Sequence, residues 1–167
     1  FADLVDPKYK GRIGFADGLY MQVIESAALV NGGSMSNYEP AKATLTELKK
    51  HDPKVYPSNE TLAAALKSEE VWATVMWRAR GFMWKKAGIP LATIAPKEGT
   101  TPIIFDAAVP KNAQNKANGW AYLDAMLDPA GQVLFADRMG YVPTVTNAKL
   151  PDDLAKEIGF TEAEQEK

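Results

Sequence analysis

The feature that most constrains the fold of this chain is the alternation of short apolar runs with longer segments of helical periodicity. Arg12–Ala16 predicts a short buried strand, and Leu19–Val30 repeats apolar side chains at the spacing of one helix face. Val55–Tyr56 predicts a second strand, and Ser58 or Asn59 is a suitable cap for a third helix. This alternation favours an α/β fold with a mainly parallel sheet flanked by helices.

The middle of the chain continues the pattern. Val71–Trp77 is nearly continuous in apolar and β-favouring residues, which is typical of a strand covered on both faces. Arg78–Ala87 predicts a helix that ends at Gly88. Leu91–Ala95 predicts a further buried strand, and Ile103–Val109 leads into another. Four alternations of strand and helix therefore precede the last third.

The last third of the chain is predicted to be mainly helical. Lys116–Leu127 carries apolar residues on one side, and Asp128 is followed by Pro129, a sequence that suits the start of the next helix. Ser36–Glu39 has the spacing of a capping box for the second helix, and Thr161–Glu164 has the same spacing near the end of the chain.

Charge and composition exclude several classes of protein. The net charge of -2 and the pI near 5.5 argue against a nucleic-acid surface, which normally carries a basic excess. No apolar run approaches the roughly 20 residues that a membrane helix needs. The chain has no cysteine, which excludes disulfides, thiol catalysis and cysteine-bound zinc.

Catalytic and metal-binding patterns are not found in the sequence. A hydrolytic triad usually needs histidine, and the one histidine, His51, follows two lysines at a predicted helix end, where a surface position is expected. No histidine pair or carboxylate–histidine cluster predicts a metal site. We therefore expect no catalytic residue, no metal and no cofactor.

The residues that stand out lie where the predicted strands end. In open parallel sheets, ligands bind outside the carboxyl ends of the strands. These ends contribute an aromatic or polar wall and fixed charges, the usual composition of a site for a small polar molecule. The candidate binding residues are Asp17 and Tyr20, then Trp77, Arg78 and Arg80, then Glu98.

Each candidate also has a structural alternative. Asp17 is equally suited to cap a helix, and a lone tryptophan such as Trp77 is often a core residue. Arg78 and Arg80 are alternatively surface charges, and Glu98 is alternatively part of a turn. Two further tryptophans, Trp72 and Trp84, are assigned to packing.

Five short motifs, taken in order, resemble those of bacterial extracellular solute-binding proteins of the polyamine and iron type. Each motif is weak alone, but together they cover nearly the whole chain. They are Leu4–Ile13, similar to an "ADL-DPKYKG-I" segment, Pro96–Gly99 ("PKEG"), Val109–Ala113 ("IPKNA"), Leu127–Gln132 ("LL-P-Q") and Gly140–Thr144 ("GY-PT").

The resemblance implies a type II periplasmic-binding fold, in which two α/β lobes close on a solute. Residues 1–101 would form most of the second lobe, residues 102–145 would belong to the first lobe, and residues 146–167 would return to the second. The family carries a long first-lobe segment ahead of the position of Phe1, so the first lobe is expected to be incomplete here. The implied protein is periplasmic, or extracytoplasmic and tethered to the membrane. It is expected to be monomeric when intact and to deliver its solute to an ABC permease.

The resemblance leaves the solute open. Polyamine binders of the family stack their ligand on tryptophan, and Trp77 matches one such position. The tryptophan and aspartate expected soon after Gly99 are not matched, and Asp106 is displaced by one position. Arg78 and Arg80 would suit a carboxylate or phosphonate equally well. A polyamine, an amino-acid-like compound and a carboxylate or phosphonate therefore all remain candidates, whereas isolated tyrosines disfavour iron.

Two other functions share this fold. The effector-binding domain of a transcriptional regulator would place a helix-turn-helix segment upstream, and an enzyme on this scaffold would need a histidine or nucleophile at a strand end. The motifs favour neither.

Overall fold

The structure is a computed structural model that describes residues 1–161. Short 3-10 turns at Ala2–Val5 and Pro7–Tyr9 lead into the first strand. The order of strands and helices is β1 (Gly14–Ala16), α1 (Tyr20–Val30), α2 (Ala41–Lys49), β2 (Lys54–Tyr56), α3 (Asn59–Lys67), α4 (Arg78–Lys86), α5 (Lys116–Met126), α6 (Pro129–Met139) and α7 (Asp152–Ile158).

The sheet is small and parallel. β1 pairs with β2 in parallel, with Phe15 opposite Val55. On the other side of β1, Ile13 forms a parallel bridge with Ala73, and the Gly14 N–H donates to the Ala73 carbonyl at 3.1 Å. The predicted strand at 71–77 is therefore a single bridge in a segment that runs beside β1. Because all three segments point the same way, their carboxyl ends meet at one edge.

The sheet is covered on both faces. Ile13 and Phe15 point toward α1 and α2, where they form a buried cluster with Val23 and Leu48. Ala16 belongs to the opposite cluster, which contains Leu62 and Ala65 of α3 and Trp84 of α4. The successive residues Phe15 and Ala16 thus enter different clusters, as the two-residue period of a strand requires.

Gly14 allows α3 to approach the sheet closely. A Cβ atom added to Gly14 would lie 2.7 Å from Val71 Cγ2 and 2.8 Å from Tyr56 Cε2. Glycine is therefore the residue that fits between β2, the segment around Val71 and α3.

The predicted caps of α3 and α6 are confirmed, whereas that of α2 is wrong. The Ser58 side chain accepts a hydrogen bond from the Thr61 N–H, and Thr61 completes a capping box. The Asp128 side chain accepts from the Gly131 N–H at 2.8 Å. α2, however, begins at Ala41 after Pro40, with no side-chain cap. The capping box predicted at 161–164 lies outside the described residues.

Two predicted strands are not formed. Leu91–Ala95 and the 103–109 segment have no regular structure, and Ile94 is 86% exposed. A strand requires a partner for its backbone groups, and neither segment has one in the described part of the chain. The apolar composition of a segment does not reveal whether such a partner is present.

The last helices pack on α4. Phe82 of α4 forms a buried cluster with Ala136 of α6 and with Leu154 and Ile158 of α7. α6 ends at Gly140, which adopts a positive φ of 71° and lies against Phe82. The segment predicted to belong to the first lobe therefore contacts α4 directly.

α5 has no buried residue, and α5, α6 and the neighbouring irregular segments expose ten large apolar side chains. We call these ten side chains together the apolar face. No helix among residues 1–161 is long and apolar enough to cross a membrane. The exposed side chains of the apolar face are Ile103, Ile104, Phe105, Trp120, Tyr122, Met126, Leu127, Leu134, Phe135 and Val142.

Two assignments of single residues are wrong. Trp72 is 55% exposed rather than packed, and the Arg12 guanidinium lies 4.7 Å from its ring centroid. His51 is 7% exposed rather than on the surface, because the chain turns back there and the Gly11 N–H donates to the His51 carbonyl. Trp84 is buried as predicted.

Candidate functional site

The carboxyl edge of the sheet carries three turns that lead into helices. The first turn follows β1 and contains Asp17, the second follows β2 and contains Ser58, and the third contains Trp77 and leads into α4. The parallel pairing of Ile13 with both neighbouring segments, through Lys54 and Ala73, fixes this arrangement. The sequence predicts the first and third turns as parts of the site, but not the second.

Asp17 and Tyr20 border an open pocket of about 220 Å³ at the start of α1. Its other walls are apolar side chains of β1, α1 and β2, including Phe15 and Val55. Asp17 is exposed and Tyr20 is 62% exposed. Asp17 makes no side-chain capping bond, since the 3-10 turn at Asp17–Leu19 has Ala16 at its N-cap position. The pocket thus combines an apolar floor with a carboxylate and a phenol.

Trp77 immediately precedes α4 and is half-buried. Its ring centroid lies 6.3 Å from that of Phe105, with the planes perpendicular. The indole N–H is buried and donates to no acceptor in the described part of the chain. A buried donor without an acceptor is unfavourable, which makes Trp77 unusual for a simple core residue.

Arg78 and Arg80 follow in the first turn of α4 but have different partners. The Arg78 Nε–H donates to the Glu157 carbonyl of α7 at 3.1 Å, and its guanidinium lies 4.7 Å from the Phe160 ring centroid. Arg80 Nη1 lies 4.0 Å from Glu60 Oε1 in α3. Both arginines therefore contact neighbouring helices of the protein itself.

Glu98 lies in the turn that follows the 91–95 segment. Its carboxylate pairs with the amino group of Phe1 at 3.5 Å, and Phe1 packs against the clusters of α1 and α2. A hydrogen bond from its own backbone N–H, aided by the charge of that amino group, lowers the pKa of Glu98. The binding role of Glu98 remains a prediction.

Asp106 is exposed and makes no ion pair among the described residues. It follows Phe105, whose ring contacts both Trp77 and Tyr141; the Phe105 and Tyr141 centroids are 6.0 Å apart. Neither Phe105 nor Tyr141 is predicted from the sequence to be a site residue. Both lie far along the chain from Trp77, and only the folded chain brings these rings together.

The described residues contain no cluster of side chains suited to binding a metal ion. No set of three or more histidine, cysteine, aspartate or glutamate side chains in it could hold a metal ion. The residues at the sheet edge are instead aromatic rings, arginines and single carboxylates. Groups of these types are suited to binding a small molecule by stacking, ion pairing and hydrogen bonding.

A small parallel sheet covered on both faces, with a polar and aromatic carboxyl edge, is typical of α/β proteins that bind small molecules. The chain belongs to the bacterial extracellular solute-binding protein family, whose family model matches residues 1–162. This membership agrees with the order of motifs along the sequence.

Curated relatives include spermidine/putrescine-binding periplasmic proteins. The one from Escherichia coli K12 is 31% identical over 154 residues, which are 90% of this chain and 44% of that protein. The one from Haemophilus influenzae, protein 1, is 29% identical over 161 residues, which are 95% of this chain and 44% of that protein. The chain therefore spans less than half the length of the curated relatives it matches.

A solved structure shares the fold. The crystal structure of an ABC transporter from Clostridium perfringens ATCC 13124 superposes with a TM-score of 0.69 and 22% identity. The match covers 96% of this chain and 52% of that one. The chain thus has the fold of about half of that solved structure.

Proposed function

We propose that this chain forms part of the solute-binding component of an ABC uptake transporter. The component would capture a small polar organic solute outside the cytoplasmic membrane and deliver it to a permease, without making or breaking a bond. The observation that carries this proposal is the meeting of the Asp17 and Trp77 turns at one sheet edge. Family membership supports the same function.

The solute would bind at the carboxyl edge of the sheet. Asp17 and Tyr20 offer a carboxylate and a phenol beside an apolar pocket, and Trp77 offers an aromatic surface. Arg78 and Arg80 would act mainly by holding α7 and α3 near this edge, since their guanidinium groups contact those helices. Glu98 and Asp106 would add negative charge around the site.

The relatives named above bind spermidine and putrescine, and a polyamine is one candidate solute here. Its ammonium groups would pair with carboxylates and its methylene chain would pack on apolar walls. The pocket beside Asp17 offers both features. An amino-acid-like or anionic solute is the alternative, and it would require Arg78 or Arg80 to exchange its present partner.

The apolar face supports a two-lobed arrangement. Exposed apolar surface of this extent is typical of a surface that another part of a protein covers. We propose that residues 102–145 belong to the first lobe, with 1–101 and 146–167 forming the second. The solute would then lie between the two.

Native mass spectrometry of the purified protein tests the function directly. We expect a small organic molecule to remain bound under gentle ionisation and to be lost on unfolding. Adding the identified compound to unfolded and refolded protein should restore the mass shift. A protein that carries no small molecule, and that shows no thermal shift with polyamines, amino acids, carboxylates or phosphonates, would contradict the proposed function.

A further inference from the structure

Residues 100–109 connect the part of the chain around the sheet to the last helices. Among the described residues, none of their backbone groups takes part in a backbone hydrogen bond. Their side chains are mostly exposed, and that of Ile104 is 74% exposed. We call residues 100–109 the crossing segment, because the chain passes there from residues 1–101 into the proposed first-lobe segment.

One side-chain hydrogen bond ties the crossing segment to α1. Thr101 Oγ1 donates to Glu25 Oε2 at 2.9 Å, in a partly buried position. In the described part of the chain, this is the only hydrogen bond that the crossing segment makes. Because the acceptor is an ionised carboxylate, the bond is stronger than one between two neutral groups.

The turn just before the crossing segment is also held in place by hydrogen bonds. The Glu98 carboxylate accepts from its own backbone N–H and from that of Ala2, and both contacts lower the pKa of Glu98. The Gly99 N–H donates to the Pro96 carbonyl at 3.1 Å, with Gly99 at a positive φ of 91°. Within residues 1–161, polar contacts therefore hold the chain up to Thr101 and resume only after residue 109.

The anchor point of the crossing segment lies on the helix that borders the candidate solute pocket. Tyr20, Val23 and Ile24 of α1 line that pocket, whereas Glu25 is not among its lining residues. Glu25 lies about 7.5 Å along the helix axis from Tyr20, at a rise of about 1.5 Å per residue. Because Val23 packs α1 against the sheet, the hydrogen bond fixes the position of Thr101 relative to the pocket.

We propose that the hydrogen bond between Glu25 and Thr101 is a latch that fixes the crossing segment to the helix bordering the solute pocket. The inference rests on the proposed function, because the crossing segment affects solute capture only if it joins two lobes. Glu25 is a positioning residue, since it acts through Thr101. Without the latch, the crossing segment samples more conformations, and solute binding must offset the entropy lost on ordering it.

Limited digestion with chymotrypsin tests the latch, with mass spectrometry to locate the cuts. The bond after Phe105 lies in the crossing segment, and its cleavage rate follows the population of the released segment when release and return are fast. Thr101→Val keeps the side-chain shape but removes the hydroxyl donor, and should raise that rate about fivefold. Thr101→Ser keeps the hydroxyl and should leave the rate close to that of the unaltered protein.

A double variant shows whether the two side chains act as a unit. Glu25→Ala should raise the cleavage rate by a similar factor, and combining it with Thr101→Val should raise it no further, because either change alone removes the bond. Thr100→Val is the matched control, since Thr100 is exposed and its hydroxyl makes no hydrogen bond among the described residues. Thermal unfolding followed by circular dichroism checks that each variant is folded.

The same variants test the role of the latch in binding. After identical dialysis, native mass spectrometry should find about a fivefold smaller bound fraction of the copurified molecule in Thr101→Val than in Thr100→Val. Equal retention by these two variants would overturn the role of the latch in solute binding.

An unchanged cleavage rate in Thr101→Val, an equal rise in Thr100→Val, or multiplying effects in the double variant would each overturn the latch itself. None of these results decides the proposed function, since a retained solute is detected independently of the cleavage rate. An unaltered protein that carries no molecule would instead contradict the proposed function, and the cleavage rates would still decide whether the latch exists.

Discussion

Trp77 combines two features that a single residue of the core rarely has. It precedes the first turn of α4 at the sheet edge, and its buried indole N–H has no acceptor among the described residues. A ligand that brings an acceptor would satisfy this donor, and a ligand that brings a cation would use the ring face. Either contact would stabilise the bound solute, so Trp77 is the residue of the candidate site whose replacement we expect to affect binding most.

Replacing Trp77 with alanine should weaken binding of the copurified solute more than tenfold, because it removes both the ring and the indole N–H. Isothermal titration measures the loss. Trp72→Ala is the matched control, since Trp72 is also partly exposed but lies beside Arg12 at the opposite edge of the sheet. Equal affinities for the two variants would exclude Trp77 from the site.

The residues of the candidate site differ in how far the sequence predicts their position. Asp17 and Trp77 follow strand-like segments, and the parallel direction of those segments is enough to place both at one edge. Phe105 and Tyr141 have no such signal, because their contacts with Trp77 depend on the path of irregular chain. Local composition does not encode that path.

The start of a helix is predicted correctly from the sequence where a neighbouring side chain caps that helix. Ser58 and Asp128 form their predicted bonds because a cap involves only neighbouring residues. The predicted cap of α2 is wrong because Pro40 follows it, and the helix begins after the proline at Ala41. Helix boundaries were therefore predictable to within a few residues.

The sequence predicts strands less well than helices, because their hydrogen bonds differ. A helix satisfies its backbone hydrogen bonds internally, whereas a strand depends on a partner that can lie anywhere in the sequence. β1 and β2 find each other, but Leu91–Ala95 and the 103–109 segment have no partner among the described residues. The sequence of a segment does not show whether such a partner is present.

The cap of α3 offers a test at this scale. Replacing Ser58 with alanine removes the acceptor for the Thr61 N–H and should lower the free energy of unfolding by about 1 kcal/mol. Urea denaturation followed by circular dichroism measures the change. Ser36→Ala is the control, because Ser36 lies outside any helix and its hydroxyl contacts only Ser34. A loss of similar size in both variants would show that the capping box contributes nothing specific to α3.

For the whole molecule, burial is unevenly distributed. The two clusters around β1 and the cluster of α4, α6 and α7 form a continuous set of packed elements, whereas α5 buries no residue at all. A Cβ atom added to Gly119 of α5 would lie 3.1 Å from Val109 Cγ2, and Phe105 contacts Tyr141, so these segments lie side by side. The sequence predicts an apolar stripe on α5, but it does not predict which residues pack against that stripe.

An uncovered apolar face should make the 167-residue chain associate with itself in solution, because burying that surface is favourable. We expect sedimentation velocity to show a concentration-dependent shift from monomer to larger species. Replacing Trp120 and Leu134 with serine should restore the monomer, since both are more than half exposed on this face. Trp72→Ser removes an exposed tryptophan elsewhere and should not. A chain that stays monomeric at all concentrations would contradict the proposal that the apolar face requires a cover, and with it the assignment of residues 102–145 to a first lobe.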